Sequence, residues 1–351
     1  MINLIAPINN LGYGVAGYNI TKALSQTGNV ALYPIAPPEF TDDIIENAIA
    51  NQQRLNLSSP CIKLWHQNDL SLRIGKGMHI GFPVFELNEF NELEKCSMRH
   101  CDKLFCCSKW AKEVIVNSLQ CNPKNVCVVP LGVDAELFSP QSSGRQTTVF
   151  FNCGKWETRK GHDLLVEMFN GAFEHNDDVE LWMMCDNPFL GERNSQWINL
   201  YRDSKLGDKI RIIPRQPDHE SVHRIMCQTD CGVFPSRAEG WNLELLEMMG
   251  CGKQVICTNY SAHTEFCTKE NSYLCPIDNL ETAFDGLWFH GHGQWAEIGQ
   301  NQKEFFIDAM RRIHVQKQSG TDIINNKGIE TAKHFSWSNT AQEIIHGLQN
   351  T

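Results

Sequence analysis

Strand-like and helix-like segments alternate along nearly the whole of this 351-residue chain. Residues 3–7, 30–34, 62–65, 78–83, 103–108 and 126–129 read as strands, with a glycine-rich turn at Asn9–Gly17 and helices through Leu24 and over 109–118. A turn-rich stretch, Ser139-Pro140-Gln141-Ser142-Ser143-Gly144, reads as a linker. A second set follows it. Strands are expected at 148–152, 179–184, 210–214, 232–234 and 254–258, and helices at 163–169, 220–227 and 243–249. Such alternation argues for doubly wound α/β sheets, here two of them. Ligands of these sheets sit beyond the carboxyl ends of the strands.

Length suggests two domains, and 42% hydrophobic with 9% aromatic residues supplies ample core. No apolar run approaches a membrane span. The segment from Met1 to Ala6 lacks the basic start of a signal peptide, so a cytoplasmic location is the expectation. Fifteen cysteines are scattered with no C-x-x-C pair and no cysteine–histidine group at zinc spacing, which fits free thiols in a reducing compartment. A net charge of −10 disfavours broad nucleic-acid binding, which rests on phosphate neutralisation, but leaves room for a local basic groove. Lys95, Arg99, Lys103, Lys109 and Lys112 are the densest basic cluster. Glu94, Asp102 and Glu113 dilute it, so a solvated helix face is the better reading.

The chemistry concentrates at Glu239-Gly240-Trp241-Asn242-Leu243-Glu244-Leu245-Leu246-Glu247. Leu243, Leu246 and Met249 mark one apolar stripe of a short helix, which Gly250 and Gly252 stop. Its N-terminus would aim unpaired N–H groups at an anion. Eight helical residues rise about 12 Å, the reach from a hexose across a diphosphate to a ribose. Spacing alone fits a solvated helix with surface glutamates equally well.

Four segments in order make the pattern specific. They are Val128-Val129-Pro130-Leu131-Gly132-Val133-Asp134 with Leu137-Phe138-Ser139-Pro140, then Gly154-Lys155-Trp156-Glu157-Thr158-Arg159-Lys160-Gly161-His162. The third runs from Pro235-Ser236-Arg237-Ala238-Glu239-Gly240 to Cys251-Gly252-Lys253-Gln254-Val255-Ile256, and the fourth is the helix opening at Phe335-Ser336-Trp337, with Ser338 as its cap. With them the chain resembles glycosyltransferase family 4, retaining enzymes of GT-B fold. The resemblance implies an α/β chain of two Rossmann-like domains facing a cleft. Residues 1–140 would form an acceptor-side domain and 147–330 a nucleotide-sugar donor domain, with a final helix, 331–351, crossing back to the first.

The resemblance also implies roles. Glu239, His66 and Lys160 would stand at the reacting centre. Gly14, Lys155, Lys160, Arg215, Gly240, Trp241, Asn242, Leu243 and Glu247 would hold the donor, with Lys155 and Lys160 as the basic pair on its diphosphate and Glu247 on its ribose. Tyr13 and Glu86 would lie on the acceptor side. Trp241 departs from the family's usual phenylalanine and Asn242 from its usual glycine, so the Asn242 side chain would contact the donor or reshape the sugar pocket. No D-x-D occurs, which fits transfer without a metal or other cofactor. The implied reaction moves a sugar from a nucleoside diphosphate to a hydroxyl acceptor, a glycan or glycoconjugate. Alternatives are glycosylation of modified DNA bases and a non-catalytic sugar-nucleotide or glycan-binding relative. A nucleotide-dependent dehydrogenase fits poorly, because Gly12-Tyr13-Gly14-Val15-Ala16-Gly17 lacks the dinucleotide spacing. The aromatic run 288–295 is either a stacking lid or a packed surface loop, and its His290 and His292 have no third metal ligand nearby.

Overall fold

The computed structural model describes residues 1–321 and 323–349. Contacts divide the chain into two compact units. One comprises Met1–Gly132 with Gly291–Gln294 and the described part of Phe335–Thr351; the other comprises Val133–His290 and Trp295–His334.

The first unit contains β1 (Ile2–Ala6), α1 (Gly12–Thr27), β2 (Val30–Pro34), α2 (Asp43–Ala50), β3 (Cys61–Leu64) and β4 (His79–Phe82). It continues with α3 (Glu92–Arg99), β5 (Lys103–Cys106), α4 (Lys109–Leu119) and β6 (Val126–Val128). The six strands pair in parallel in the order β2-β1-β3-β4-β5-β6. Residues 3–6 of β1 and all of β3 to β5 are buried, as strands covered on both faces by helices must be. The glycine-rich segment is not a loop as expected: Gly12, Gly14 and Gly17 all lie inside α1. For Gly14 and Gly17 the reason is steric. A Cβ on Gly14 would collide with Asn9, and one on Gly17 with the carbonyl of Pro7, so the glycines let the helix seat against the preceding loop.

The second unit begins with β7 (Thr148–Gly154), α5 (His162–Ala172), β8 (Val179–Cys185), α6 (Asn194–Arg202), β9 (Ile210–Ile212), α7 (His219–Cys227) and β10 (Cys231–Phe234). There follow α8 (Leu243–Gly250), β11 (Gln254–Thr258), α9 (His263–Phe266), β12 (Tyr273–Cys275), β13 (Leu280–Phe284), β14 (His290–Ala296), α10 (Gln300–Gln318) and α11 (Asn326–His334). Its parallel sheet runs β12-β11-β10-β7-β8-β9. Phe150, Leu165, Phe169, Leu181, Tyr201 and Phe306 fill one core between sheet and helices, each fully buried. A Leu- or Phe-sized side chain contributes about 1.5–3 kcal/mol on such burial.

The run 288–295 is no free loop, because most of it belongs to β14, which pairs with β13 as a two-stranded ribbon. Trp295 is buried and its Nε1 donates to Glu281 Oε1 at 3.0 Å.

The last helix, α12 (Trp337–Gln349), packs on α1 within the first unit. Asn350 and Thr351, the end of the expected 331–351 segment, lie outside the described residues. Its cap is Ser336 rather than Ser338: Ser336 Oγ accepts from the backbone N–H of Asn339 at 3.2 Å.

Candidate functional site

The strand order of the second unit reverses at β7. The chain leaves that strand towards β8 and β9, then returns to its other side with β10, β11 and β12. Loops leaving β7 and β10 therefore diverge, and a crevice opens at their carboxyl ends. Residues 155–161 leave β7 and residues 235–242 leave β10, so topology brings two of the sequence segments together.

A buried ion cluster joins these two loops. Arg159 spans them, with Nη2 2.6 Å from Glu157 Oε2 and Nη1 2.8 Å from Glu239 Oε2. Glu239 Oε1 accepts from Lys160 Nζ at 3.0 Å and from Ser236 Oγ at 2.8 Å. The backbone N–H of Glu239 donates to Ser261 Oγ at 2.8 Å. Burial alone would push the Glu239 carboxyl up, but Lys160 and then Arg159 outweigh it and hold Glu239 well below the usual carboxylate range. Glu157 is likewise held at about 2, burial being outweighed by Arg159 and Lys155. Lys160, despite burial, is raised above its ordinary value by Glu239. Three donors already occupy the Glu239 carboxylate, which has about four acceptor positions. It is first of all a fastening between the loops.

Two neutral histidines brace the cluster. His162 Nδ1 accepts from the Glu157 backbone N–H at 3.1 Å, so its Nε2–H donates to Asn152 Oδ1 at 2.9 Å. Asn152 Nδ2 in turn donates to the carbonyl of Val233, linking β7 to β10. Burial, and then the Lys160 charge, lower His162 to about 3. His263 accepts at Nε2 from Asn242 Nδ2 at 2.9 Å and donates from Nδ1 to the Thr258 carbonyl at 3.0 Å. Burial lowers it to about 4.

Asn242 has φ 84° and stands at the N-cap of α8, its Oδ1 accepting from the Leu245 N–H at 3.1 Å. Both ends of its amide are thus occupied, by the cap and by His263. Within the fold the Asn242 side chain holds a left-handed turn and caps the helix. Asparagine tolerates that conformation where most side chains do not. Trp241 is 3% exposed and packs against Phe266 at 4.9 Å, so its ring is core. Gly240, Asn242 and Leu243 are buried beside it, and what this turn offers a ligand is backbone. The N–H groups of Leu243 and Glu244 lie in the first turn of α8, where no intrahelical acceptor exists.

Glu247, one turn further along α8, is 7% exposed. Burial first, and then the charge of Glu244, raise its carboxyl to about 8. His219 Nδ1 is 3.9 Å from Glu247 Oε1, beyond hydrogen-bond length. Burial also lowers His219, which leaves that imidazole neutral and no counter-charge to Glu247. The two glutamates of the motif therefore stand in opposite states, one ionised and held by three donors, the other protonated near neutrality.

Lys155 and Lys160 are not an equivalent pair. Lys155 is 37% exposed, with Nζ 3.0 Å from Glu157 Oε1, whereas the Lys160 side chain is 10% exposed and committed to Glu239. Lys155 Nζ also lies 5.7 Å over the Phe189 ring, and Phe189 meets Trp288 edge-on at 6.1 Å, both aromatics being exposed. Arg215 follows β9, with Nε 3.8 Å from Asp186 Oδ2, too long for a hydrogen bond. Arg159, Glu157, His162, His263 and Ser261 were not singled out by spacing. Arg159 and Glu157 lie within a quoted motif, and alternating opposite charges there are the signal that could have shown them.

The first unit has its own reversal between β1 and β3. Tyr13, in the first turn of α1, donates from its hydroxyl to the Val84 carbonyl at 2.7 Å and accepts from the Val84 N–H at 3.1 Å. Its ring lies 4.7 Å from His66 and 5.4 Å from Trp65, which follow β3. Desolvation and then the Glu86 charge raise its phenol. Tyr13, His66 and Glu86 are thus brought together at the carboxyl end of this sheet, with His66 exposed. Gly14 is buried against Asn9 within α1.

Two Rossmann-like parallel-sheet domains of this kind define the GT-B class, and the fold is of that class. Residues 147–287 match the family of Glycosyl transferases group 1. The chain is 24% identical over 229 residues to mannosylfructose-phosphate synthase of Agrobacterium fabrum, covering 59% of this chain and 50% of that one. It spans about half the length of the curated relatives it matches. Among solved structures it is similar to a glycosyltransferase from Rickettsia africae, with TM-score 0.71 and 14% identity over 100% of this chain and 99% of that one. It is also similar to Anabaena Alr3699/HepE in complex with UDP-glucose, with TM-score 0.72 and 14% identity over the same shares. No helix among the described residues is long and apolar enough to cross a membrane.

Proposed function

We propose that this chain is a family 4 glycosyltransferase. It moves a sugar from a nucleoside diphosphate sugar to a hydroxyl of a glycan or glycoconjugate, with retention and without a metal or other cofactor in the transfer. The observation that carries the reading is the Glu239–Arg159–Lys160 cluster at the reversal point of the second sheet, inside the stretch that matches Glycosyl transferases group 1.

The roles follow from exposure and charge. Lys155 reaches the diphosphate, and the first-turn N–H groups of α8 complete its cradle, neutralising the leaving group as a metal would elsewhere. Lys160, held by Glu239, adds a fixed positive charge beside it. Glu239 orients that lysine and offers its remaining acceptor position to a sugar hydroxyl; it is a positioning residue. Glu247 accepts from the ribose hydroxyls, which supply the donors its buried carboxyl lacks. Departure of the diphosphate leaves an oxocarbenium-like sugar. The acceptor hydroxyl enters on the same face and passes its proton to the leaving phosphate. Tyr13, His66 and Glu86 serve the acceptor. A cytoplasmic location suits a nucleotide-sugar donor.

The test is a thermal-shift screen against UDP-, GDP- and ADP-sugars, since a ligand of the native state raises its stability. Hydrolysis or transfer is then followed by NMR, which reads the product anomer. At least one donor should raise the melting temperature and yield retained product. No shift with any donor would end the proposal, and an inverted anomer would end the retaining part of it.

A further inference from the structure

A second group of reactive side chains stands among α7, α8 and the segment before β7. His223 and Cys227 occupy successive turns on one face of α7, and Cys227 Sγ is 3.0 Å from His223 Nε2. Cys251, the residue that ends α8, brings its thiol within hydrogen-bond reach of Cys227. All three ligand atoms lie within 4.8 Å of one another. Both cysteines are buried and His223 is half-buried.

Phe138 meets the His223 ring edge-on at 5.9 Å, and the Ser139 carbonyl lies 3.2 Å from Nε2. Lys253 Nζ donates to the carbonyls of Cys227 and Gln141 at 2.8 and 2.7 Å, tying the same backbone together. Cys251 also borders a cavity of about 280 Å³. Motif spacing did not show this group, because the third member comes from the next helix.

We propose that His223, Cys227 and Cys251 bind one zinc-class cation, which takes no part in the transfer. Two thiolates and one imidazole are a common zinc donor set. With Zn–S near 2.3 Å and Zn–N near 2.0–2.1 Å, tetrahedral ligand atoms stand about 3.6–3.8 Å apart. The 3.0 Å between Cys227 Sγ and His223 Nε2 is shorter than that and no separation exceeds 4.8 Å, so shifts of about an ångström close the site. A water takes the fourth position, as in three-ligand zinc sites. On binding, each thiol releases its proton to solvent and the imidazole coordinates through unprotonated Nε2, so two protons leave per cation. The metal pins the end of α8 to α7, and α8 is the helix that carries Glu247.

Titration of the reduced, chelator-treated protein with Co²⁺ tests this directly. One equivalent should produce thiolate-to-cobalt charge-transfer absorption and tetrahedral d–d bands, and one equivalent of Zn²⁺ should remove them and raise the melting temperature. Cys227→Ser and Cys251→Ser should each weaken Co²⁺ binding more than about 100-fold, beyond what loss of an outer-shell partner costs. Substitution of the exposed Cys96 by Ser should change nothing. Where a buried Cys→Ser variant does not fold, His223→Gln carries the test, with circular dichroism confirming its fold. Absence of tetrahedral thiolate bands in wild-type protein overturns the proposal. So does binding that persists unchanged in folded His223→Gln.

Discussion

Both sheets reverse their strand order, and both gather side chains where they do, yet the two gatherings differ in kind. In the second unit, Glu157, Arg159, Lys160 and Glu239 are all under a tenth exposed and fasten one loop to another. In the first, Tyr13, Trp65, His66 and Glu86 are half-buried or exposed, and their contacts include ring packing and the pairing of the Tyr13 hydroxyl with the Val84 backbone. The difference teaches where geometry is fixed in advance. A buried ion cluster tolerates little movement, because removing one partner strands the others in a low-dielectric site. That suits a constant ligand part such as a diphosphate. An open aromatic surface suits partners that vary.

The sharpest way to break the comparison is Arg159→Met. It leaves Glu157 and Glu239 without their shared partner and should cost on the order of 3–5 kcal/mol in urea denaturation. A loss under about 1 kcal/mol would mean that the cluster is not the fastening described.

Glu247 tests the same unit through pH. Its folded value, about 8, lies above its ordinary 4.5. The folded state therefore binds the extra proton between those values, and the associated stability, fully present below pH 4.5, is lost as pH rises through 8. Wild type should lose on the order of 4 kcal/mol more than Glu247→Gln between pH 5 and 9, measured as unfolding free energies. Parallel pH profiles for the two proteins would refute the buried, donor-poor carboxyl.

Asn242→Ala removes the cap and forces alanine into a left-handed turn, at a cost of about 1–2 kcal/mol. Asn242→Gly keeps the turn and should recover roughly half of that. Equal losses in the two variants would show that backbone conformation is not the reason for asparagine.

His66→Ala should be the smallest in stability, within about 0.5 kcal/mol, because the side chain is exposed. Under the proposed function it should still lower transfer about 10-fold or more, read as kcat with a saturating donor. A change in stability matching that of Arg159→Met would erase the distinction between the units.

Much of the fold was legible in sequence because each strand is short, apolar and followed by a helix pattern. Residues 30–34 and 254–258 coincide with β2 and β11, and 243–249 with all but the last residue of α8. The glycines of residues 12–17 misled because glycine signals a turn and a close packing contact alike. Only the returning loop at Pro7 and Asn9 decides for packing. The run 288–295 misled because its pairing partner, β13, is a five-residue strand that is mostly exposed.

What the sequence determined by itself is the alternation of elements and the positions of charge: which loops carry Lys155, Arg159, Lys160, Glu239 and Glu247. Those depend on local pattern and spacing. Tertiary structure decided the state of each group. It paired Glu239 with Arg159 and Lys160 and, among the described residues, set beside the buried Glu247 carboxyl the like charge of Glu244. It turned Asn242 inward and brought Cys251 to His223 and Cys227. Protonation and coordination depend on what surrounds a group in three dimensions, and the neighbours that matter here come from strands and helices far apart in the chain.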